Sequence, residues 1–233
     1  MEGKMVGGER RAAVFLDRDG TINEEVGYLD RMEKLQLIPG AAEAIRLINK
    51  SGMKAVVVTN QSGVARGIFT ESFVAEIHER LREMLRAEGA LIDAFYFCPH
   101  HPTEGQGAYL KTCDCRKPAP GLLLRAAAEL RLDPARSYMV GDTLKDIEAG
   151  ARAGVQGILV RTGFGEEAAA ELEPLEEPRK HGDMMPHRVP ATMPHHVPIE
   201  KAGAQGETGM VRPVHIAGDL LGAVQWILRN RKP

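Results

Sequence analysis

Asp17-Arg18-Asp19-Gly20-Thr21 sets two carboxylates two residues apart, directly after the apolar run 12–16. A short buried strand there would deliver both to the C-terminal edge of a parallel sheet, where ligands bind in open α/β folds. A carboxylate so placed can attack phosphorus and form an acyl-phosphate. Its neighbour can protonate the leaving oxygen and later activate water. Two clustered carboxylates repel each other and an incoming phosphate, so the arrangement calls for a hard cation such as Mg²⁺. Gly20 permits the sharp turn that follows. Turn formers at a solvated strand end look the same in isolation, so the rest of the chain decides.

Three further positions match what phosphoryl transfer through Asp17 requires. Thr59 follows the apolar run 55–58, where a hydroxyl and nearby N–H groups could hold phosphate oxygens. Lys117, beside Arg116, would neutralise charge on the transferring group. Asp142 follows the apolar run 138–140 and would complete an oxygen-rich Mg²⁺ site with Asp17 and the main-chain carbonyl of Asp19. Asp142-Thr143 could equally cap a helix with Asp146 on its solvent face. Each residue alone has such an ordinary explanation; four in order, each at the end of a predicted strand, point to one site.

All three cysteines lie between positions 98 and 115, an odd and tightly clustered set that suits a metal better than disulfides. Cys98-x-His100, twelve residues, then Cys113-x-Cys115 offers three thiolates and an imidazole, a tetrahedral Zn²⁺ set, with His101 as a competing ligand. Four protein ligands leave no open position, so the site reads as structural. Closing this loop would position Arg116-Lys117. The alternative is a set of incidental thiols.

The elements that must hold these residues alternate between strand and helix. Predicted strands are 12–16, 55–58, 94–97, 138–140 and 157–160. Predicted helices open at Pro39-Gly40, with Ala41, Ala44, Ile45 and Ile48 on one face, and after Thr70 as N-cap, with a Phe73, Ile77, Leu81 and Leu85 stripe; others cover 118–130 and 144–153. Such alternation implies a parallel sheet with right-handed crossovers. The pattern breaks over 166–212, which gathers Pro174, Pro178, Pro186, Pro190, Pro194 and Pro198 with His181, His187, His195 and His196. Within it Met185-Pro186-His187-Arg188-Val189-Pro190 nearly repeats as Met193-Pro194-His195-His196-Val197-Pro198. Without Phe, Tyr or Trp this segment reads as a disordered insert, not a metal tract. A strand around Val214-His215-Ile216 and a helix over 220–229 would close the core, so the expected organisation is a flexible leader 1–10, a core 11–165, the insert 166–212, and a closing unit 213–233.

The 233 residues carry a net charge of −2, which argues against a nucleic-acid partner. No apolar run approaches the ~18 residues of a membrane helix, and 1–11 lacks the apolar core of a secretory signal. The expectation is a cytoplasmic monomer.

The motifs Asp17-x-Asp19-x-Thr21, Thr59, Lys117 and Gly141-Asp142-x-x-x-Asp146 resemble those of the haloacid dehalogenase superfamily of phosphohydrolases. The resemblance implies an α/β fold, a Rossmann-like parallel sheet with helices on both faces, here with no large cap and a zinc-stapled loop. It makes Asp17 the nucleophile and Asp19 the general acid/base, with Thr59 and Lys117 stabilising the phosphoryl group. Mg²⁺ would be held by Asp17, Asp19 and Asp142, with Asp146 in support.

The longer stretches Phe15-Leu16-Asp17-Arg18-Asp19-Gly20-Thr21-Ile22-Asn23, Gly27-Tyr28, 59–67 and Cys113-Asp114-Cys115-Arg116-Lys117-Pro118 are similar to the D,D-heptose 1,7-bisphosphate phosphatases, over about 12–165 and the C-terminal helix. This likeness implies hydrolysis of the 7-phosphate of a heptose bisphosphate, on the route to nucleotide-activated heptose for surface glycans such as lipopolysaccharide core. The substrate would be a small sugar phosphate lying against Glu25, Val26, Gly27, Tyr28, Asn60, Gln61 and Ser62, with Arg116 helping to recognise it. The family pattern selects His100 over His101 as the zinc ligand. Thr143 stands where that family often carries Lys, and the Pro/His insert is atypical; both bear on substrate preference. A histidinol-phosphate phosphatase is the nearest alternative, the twelve-residue spacing favouring the heptose branch. A non-catalytic metal-binding scaffold of the same fold would be expected to lack Asp17 or Asp19.

Overall fold

The computed structural model describes residues 10–172 and 211–231. Six parallel strands, β1 (Ala13–Leu16), β2 (Lys54–Asn60), β3 (Ala94–Cys98), β4 (Tyr138–Gly141), β5 (Gln156–Val160) and β6 (His215–Ala217), form one sheet in the order β3-β2-β1-β4-β5-β6. The chain builds outward from β1 in one direction, then restarts at β4 in the other. The change of direction lies between β1 and β4, which is where an open α/β sheet leaves a crevice beyond its carboxyl ends.

Alternation along the strands divides the core between two faces. Val14 and Leu16 of β1 pack with α1 (Ala41–Lys50), α2 (Glu71–Ala87) and α6 (Leu220–Asn230), whereas Ala13 and Phe15 face α3 (Gly121–Glu129) and α4 (Leu144–Arg152). The helix faces expected from periodicity turn to the core: Ala41, Ala44, Ile45 and Ile48 in α1 are buried, as are Ile77, Leu81 and Leu85 in α2, while Phe73 of the expected α2 stripe is only half-buried. Thr70 caps α2, its side chain accepting from Phe73 N. One polar residue, His78, joins the buried stripe of α2.

Most bounds agree within two residues, and two differ by more. Helix α3 begins at Gly121 rather than 118, because Ala119 N donates to Arg116 O and Gly121 N to Asp114 O, both at 2.8 Å, closing a turn ahead of it. The ordered core also runs past the predicted break at 166. Helix α5 (Gly165–Ala170) continues it, and Ala168, Ala169 and Leu172 pack with Leu159 and Ile147. Glu166 and Glu167 in the first turn, followed by three alanines, are a good helix start that the proline-rich stretch beyond it obscured. The period-eight repeat and the rest of 173–210, with residues 1–9 and 232–233, lie outside the described residues. Among the described residues no helix is long and apolar enough to cross a membrane.

Candidate active site and metal cluster

Leu16 pairs with Val57 on one side and Val140 on the other, so the turn after β1 emerges between the ends of β2 and β4. Asp17 N donates to Val140 O at 2.9 Å. The Asp17 carboxylate is held by one oxygen only: Oδ1 accepts from Arg18 N at 2.7 Å and pairs with Lys117 Nζ at 2.9 Å. Oδ2 has no hydrogen bond among the described residues, on a residue that lines the pocket at the sheet edge.

Lys117 is buried, and its ammonium uses three partners: Asp17 Oδ1, Asp146 Oδ1 at 2.6 Å and Val58 O at 2.9 Å. Its main chain is fixed by Asn60, whose Oδ1 accepts from Lys117 N at 3.0 Å and whose Nδ2 donates to Lys117 O at 3.1 Å. Asp146 is 0% exposed, so the solvent-face alternative for it fails. Its Oδ2 accepts from Thr143 N and Oγ1 at 3.1 and 2.6 Å, and its Oδ1 faces Lys117.

The carboxylates of Asp17, Asp142 and Asp146 converge within 4.8 Å of one another. Burial pushes Asp17 up to about 7; the Lys117 charge pulls it back and the Asp146 charge pushes it further up. Burial, then the charges of Asp17 and Asp146, push Asp142 up to about 8, against a hydrogen bond from Phe164 N. Lys117 behaves oppositely: burial works against its charge, but Asp146 and Asp17 hold it above its ordinary value. Two carboxylates raised towards neutrality by burial and mutual repulsion are a donor set that a hard divalent cation would relieve. The residues present fit such an ion.

Asp19 is differently placed and is not part of that cluster. Arg18 Nε and Nη2 grip it at 3.1 and 2.7 Å, Asn23 Nδ2 donates to Oδ1 at 2.9 Å, and Gln61 Nε2 to Oδ2 at 2.9 Å. Burial alone would raise its proton affinity, but the Arg18 charge and these hydrogen bonds hold it below the ordinary carboxylate value. Gln61 also donates to Thr59 Oγ1 at 2.9 Å, which orients the hydroxyl.

A loop after β5 closes the far side. Phe164 N donates to Asp142 Oδ2 at 2.9 Å, and Thr162 Oγ1 donates to Gly20 O at 2.6 Å. Of the expected substrate contacts, Glu25, Gly27, Tyr28, Asn60, Gln61, Ser62 and Arg116 line the pocket. Val26 is not among the lining residues and is 39% exposed. Phe69, Phe164 and Lys145 also line the pocket and were not anticipated. Phe69 meets Tyr28 edge-on at 6.4 Å. Lys145 lies two residues after Thr143, the position where the resembled family often carries Lys, and was the most findable; Phe164 left no signal.

The cysteine loop closes as its spacing suggested. Cys98, Cys113 and Cys115 sulfurs lie 3.2–3.5 Å apart, and His100 Nδ1 is 3.3 Å from Cys115 Sγ and 3.6 Å from Cys98 Sγ. The competing His101 is occupied elsewhere, its Nδ1 accepting from Thr103 N and Glu104 N. Burial, then neighbouring sulfurs, push the Cys98 and Cys115 thiols up; Cys113 is also penalised by burial, but hydrogen bonds from the other two sulfurs bring it down. Three thiols this close do not all ionise without a cation among them, and the tetrad could hold a metal. Arg116 Nη1 donates to His100 O at 3.2 Å, tying the cluster to the pocket wall.

A HAD-hydrolase-like family model matches residues 114–186. A Pasteurella multocida protein named D-glycero-beta-D-manno-heptose-1,7-bisphosphate 7-phosphatase is 46% identical over 154 residues, 66% of this chain and 83% of the relative. The D-glycero-D-manno-heptose-1,7-bisphosphate 7-phosphatase of Thermosynechococcus vestitus is 40% identical over 227 residues, 96% of this chain and 98% of the relative. Among solved structures, the D,D-heptose 1,7-bisphosphate phosphatase of B. bronchiseptica, complexed with magnesium and phosphate, aligns with a TM-score of 0.69 and 28% identity, covering 94% of this chain and 98% of that one. Fold and site define a haloacid dehalogenase-like hydrolase. Within that class the chain belongs to the D-glycero-D-manno-heptose-1,7-bisphosphate 7-phosphatase family.

Proposed function

We propose that this enzyme removes the 7-phosphate of D-glycero-D-manno-heptose 1,7-bisphosphate through a phosphoryl group carried on Asp17. Beside the family membership, one observation carries the reading: Asp17 is pinned at Oδ1 by Lys117 and Arg18 N, while Oδ2 has no protein partner among the described residues. A nucleophile must be aimed yet keep one reactive lone pair free.

Asp17 Oδ2 attacks phosphorus, the bond from phosphorus to the sugar oxygen breaks, and that oxygen leaves with the electron pair and a proton from Asp19. Water then attacks the aspartyl-phosphate as Asp19 takes its proton, releasing inorganic phosphate and restoring Asp17. The Arg18 clamp favours the ionised Asp19 needed in the second step. An incoming phosphate dianion raises its proton affinity for the first. Lys117 and the Thr59 hydroxyl meet charge on the transferring oxygens. Magnesium, held by Asp17, Asp142 and the Asp19 main-chain carbonyl, would supply charge neutralisation between nucleophile and phosphate. Zinc in the Cys98, His100, Cys113 and Cys115 tetrad would be structural, fixing Arg116 at the wall.

The deciding experiment measures phosphate release from heptose 1,7-bisphosphate anomers, histidinol phosphate and simple sugar phosphates, with and without Mg²⁺. A clear preference for histidinol phosphate would overturn the substrate assignment. Asp17→Asn should abolish turnover with the fold intact, and full residual activity would remove the covalent route. Size-exclusion chromatography tests the monomer that this reading assumes.

A further inference from the structure

His78 is the one imidazole buried on the apolar stripe of α2, far from the pocket in sequence, and nothing in the mechanism so far uses it. A leucine there would serve the stripe as well, and a buried polar ring costs free energy unless it is hydrogen-bonded. Its partner is Arg18: Nη1 lies 3.4 Å from His78 Nε2. The ring is itself immobilised, stacked on Phe95 at 4.6 Å and 21° and edge-on to Phe97 at 5.9 Å.

Arg18 is 1% exposed and carries the clamp on Asp19 through its Nε and Nη2 edge. A guanidinium has donors only, so His78 meets it with the Nε2 lone pair. That requires a neutral ring, and burial together with the Arg18 charge holds His78 down to about 3. The planar fork cannot turn without both edges moving. Fixing Nη1 on the side of α2 therefore fixes which edge Asp19 receives.

We propose that His78 is a positioning residue: its imidazole anchors the Arg18 guanidinium so that the opposite edge presents the Asp19 carboxylate to the leaving oxygen. This rests on the reading of Asp19 as the general acid/base. No step is added to the reaction; a second layer is added behind a residue that acts in it. Positioned acid/base groups are worth about 10²–10⁴-fold in rate, and misaiming one forfeits part of that.

The test compares His78→Leu, which removes the acceptor but suits the stripe, with His78→Gln, which restores an acceptor. On heptose bisphosphate, His78→Leu should lower kcat about tenfold with KM within about twofold, and His78→Gln should recover most of it. On 4-nitrophenyl phosphate, whose leaving oxygen needs little protonation, His78→Leu should lower kcat/KM, which reports only up to departure of the leaving group, by less than about threefold, against about tenfold on heptose bisphosphate. Equal losses on both substrates, or equal losses for Leu and Gln with matched thermal melts, would overturn the proposal. Asp19→Asn separates the two layers. If it keeps full turnover, the acid/base reading itself has failed; if it is inactive while His78→Leu shows no selective loss, only the role of His78 has.

Discussion

Gly163→Ala perturbs the site while leaving every charged group in place. Gly163 has φ +57°, and a Cβ there would lie 2.2 Å from Asp142 Oδ2 and 2.6 Å from Gly20 Cα. No side-chain rotation relieves the second contact, because it is backbone against backbone. The loop after β5 must retreat, and Phe164 N and Thr162 Oγ1 then lose Asp142 and Gly20 O. A left-handed alanine costs about 1–2 kcal/mol. The hydrogen bond to a carboxylate is worth about 1.5–3 and the neutral one about 1 kcal/mol, so about 3–6 kcal/mol is at stake. Gly52→Ala is the control: φ is +81° but nothing lies within 4 Å, so strain alone operates, about 1–2 kcal/mol. Urea unfolding and phosphate release against Mg²⁺ concentration read both effects. Gly163→Ala should raise the half-saturating Mg²⁺ about 10–100-fold, the scale of a lost ligand-orienting contact, while Gly52→Ala leaves it unchanged. Equal stability losses and an unchanged Mg²⁺ response in Gly163→Ala would refute the idea that this loop clamps Asp142.

Lys117→Met should leave Asp17 and Asp146 facing each other without their cation; breaking such buried pairing costs about 3–5 kcal/mol, read by denaturant unfolding, with kcat falling at least about 10³-fold. Cys115→Ser should lower the bound metal measured by elemental analysis and destabilise the loop carrying Arg116; unchanged metal content would contradict the tetrad. His78, held down to about 3 from the ordinary 6.5 by burial and the Arg18 charge, binds fewer protons folded than unfolded between those values. Stability should therefore rise with pH across about 3 to 6.5, by about 3–5 kcal/mol for this group, and His78→Leu should flatten that slope in urea titrations at stepped pH.

Much of the site was legible because its residues sit immediately beyond apolar runs. Asp17, Thr59 and Asp142 each follow a stretch that had to be a buried strand, and parallel strands bring their carboxyl ends to one edge. The cysteine spacing likewise carried the cluster, while the choice of His100 over His101 came from the family resemblance. Val26, 39% exposed, was less legible, because loop residues do not alternate with a fixed period and membership of a pocket-lining stretch does not say which residue lines it. The helix at α5 was missed because composition was averaged over a segment whose first residues differ from the rest.

The amino-acid sequence by itself determined the reaction type and the parallel-sheet frame, since both follow from residue types at strand ends and from periodicity. Only the tertiary structure decided who acts on whom: that Asp146 turns inward to hold Lys117, that the loop at Gly163 leans on Asp142, and that His78, 60 residues from Arg18, stands behind Asp19. The reason is physical. The charge state of a carboxylate or an imidazole depends on burial and on neighbours within a few ångströms, and those neighbours come from elements whose proximity is set by sheet order rather than by position along the chain.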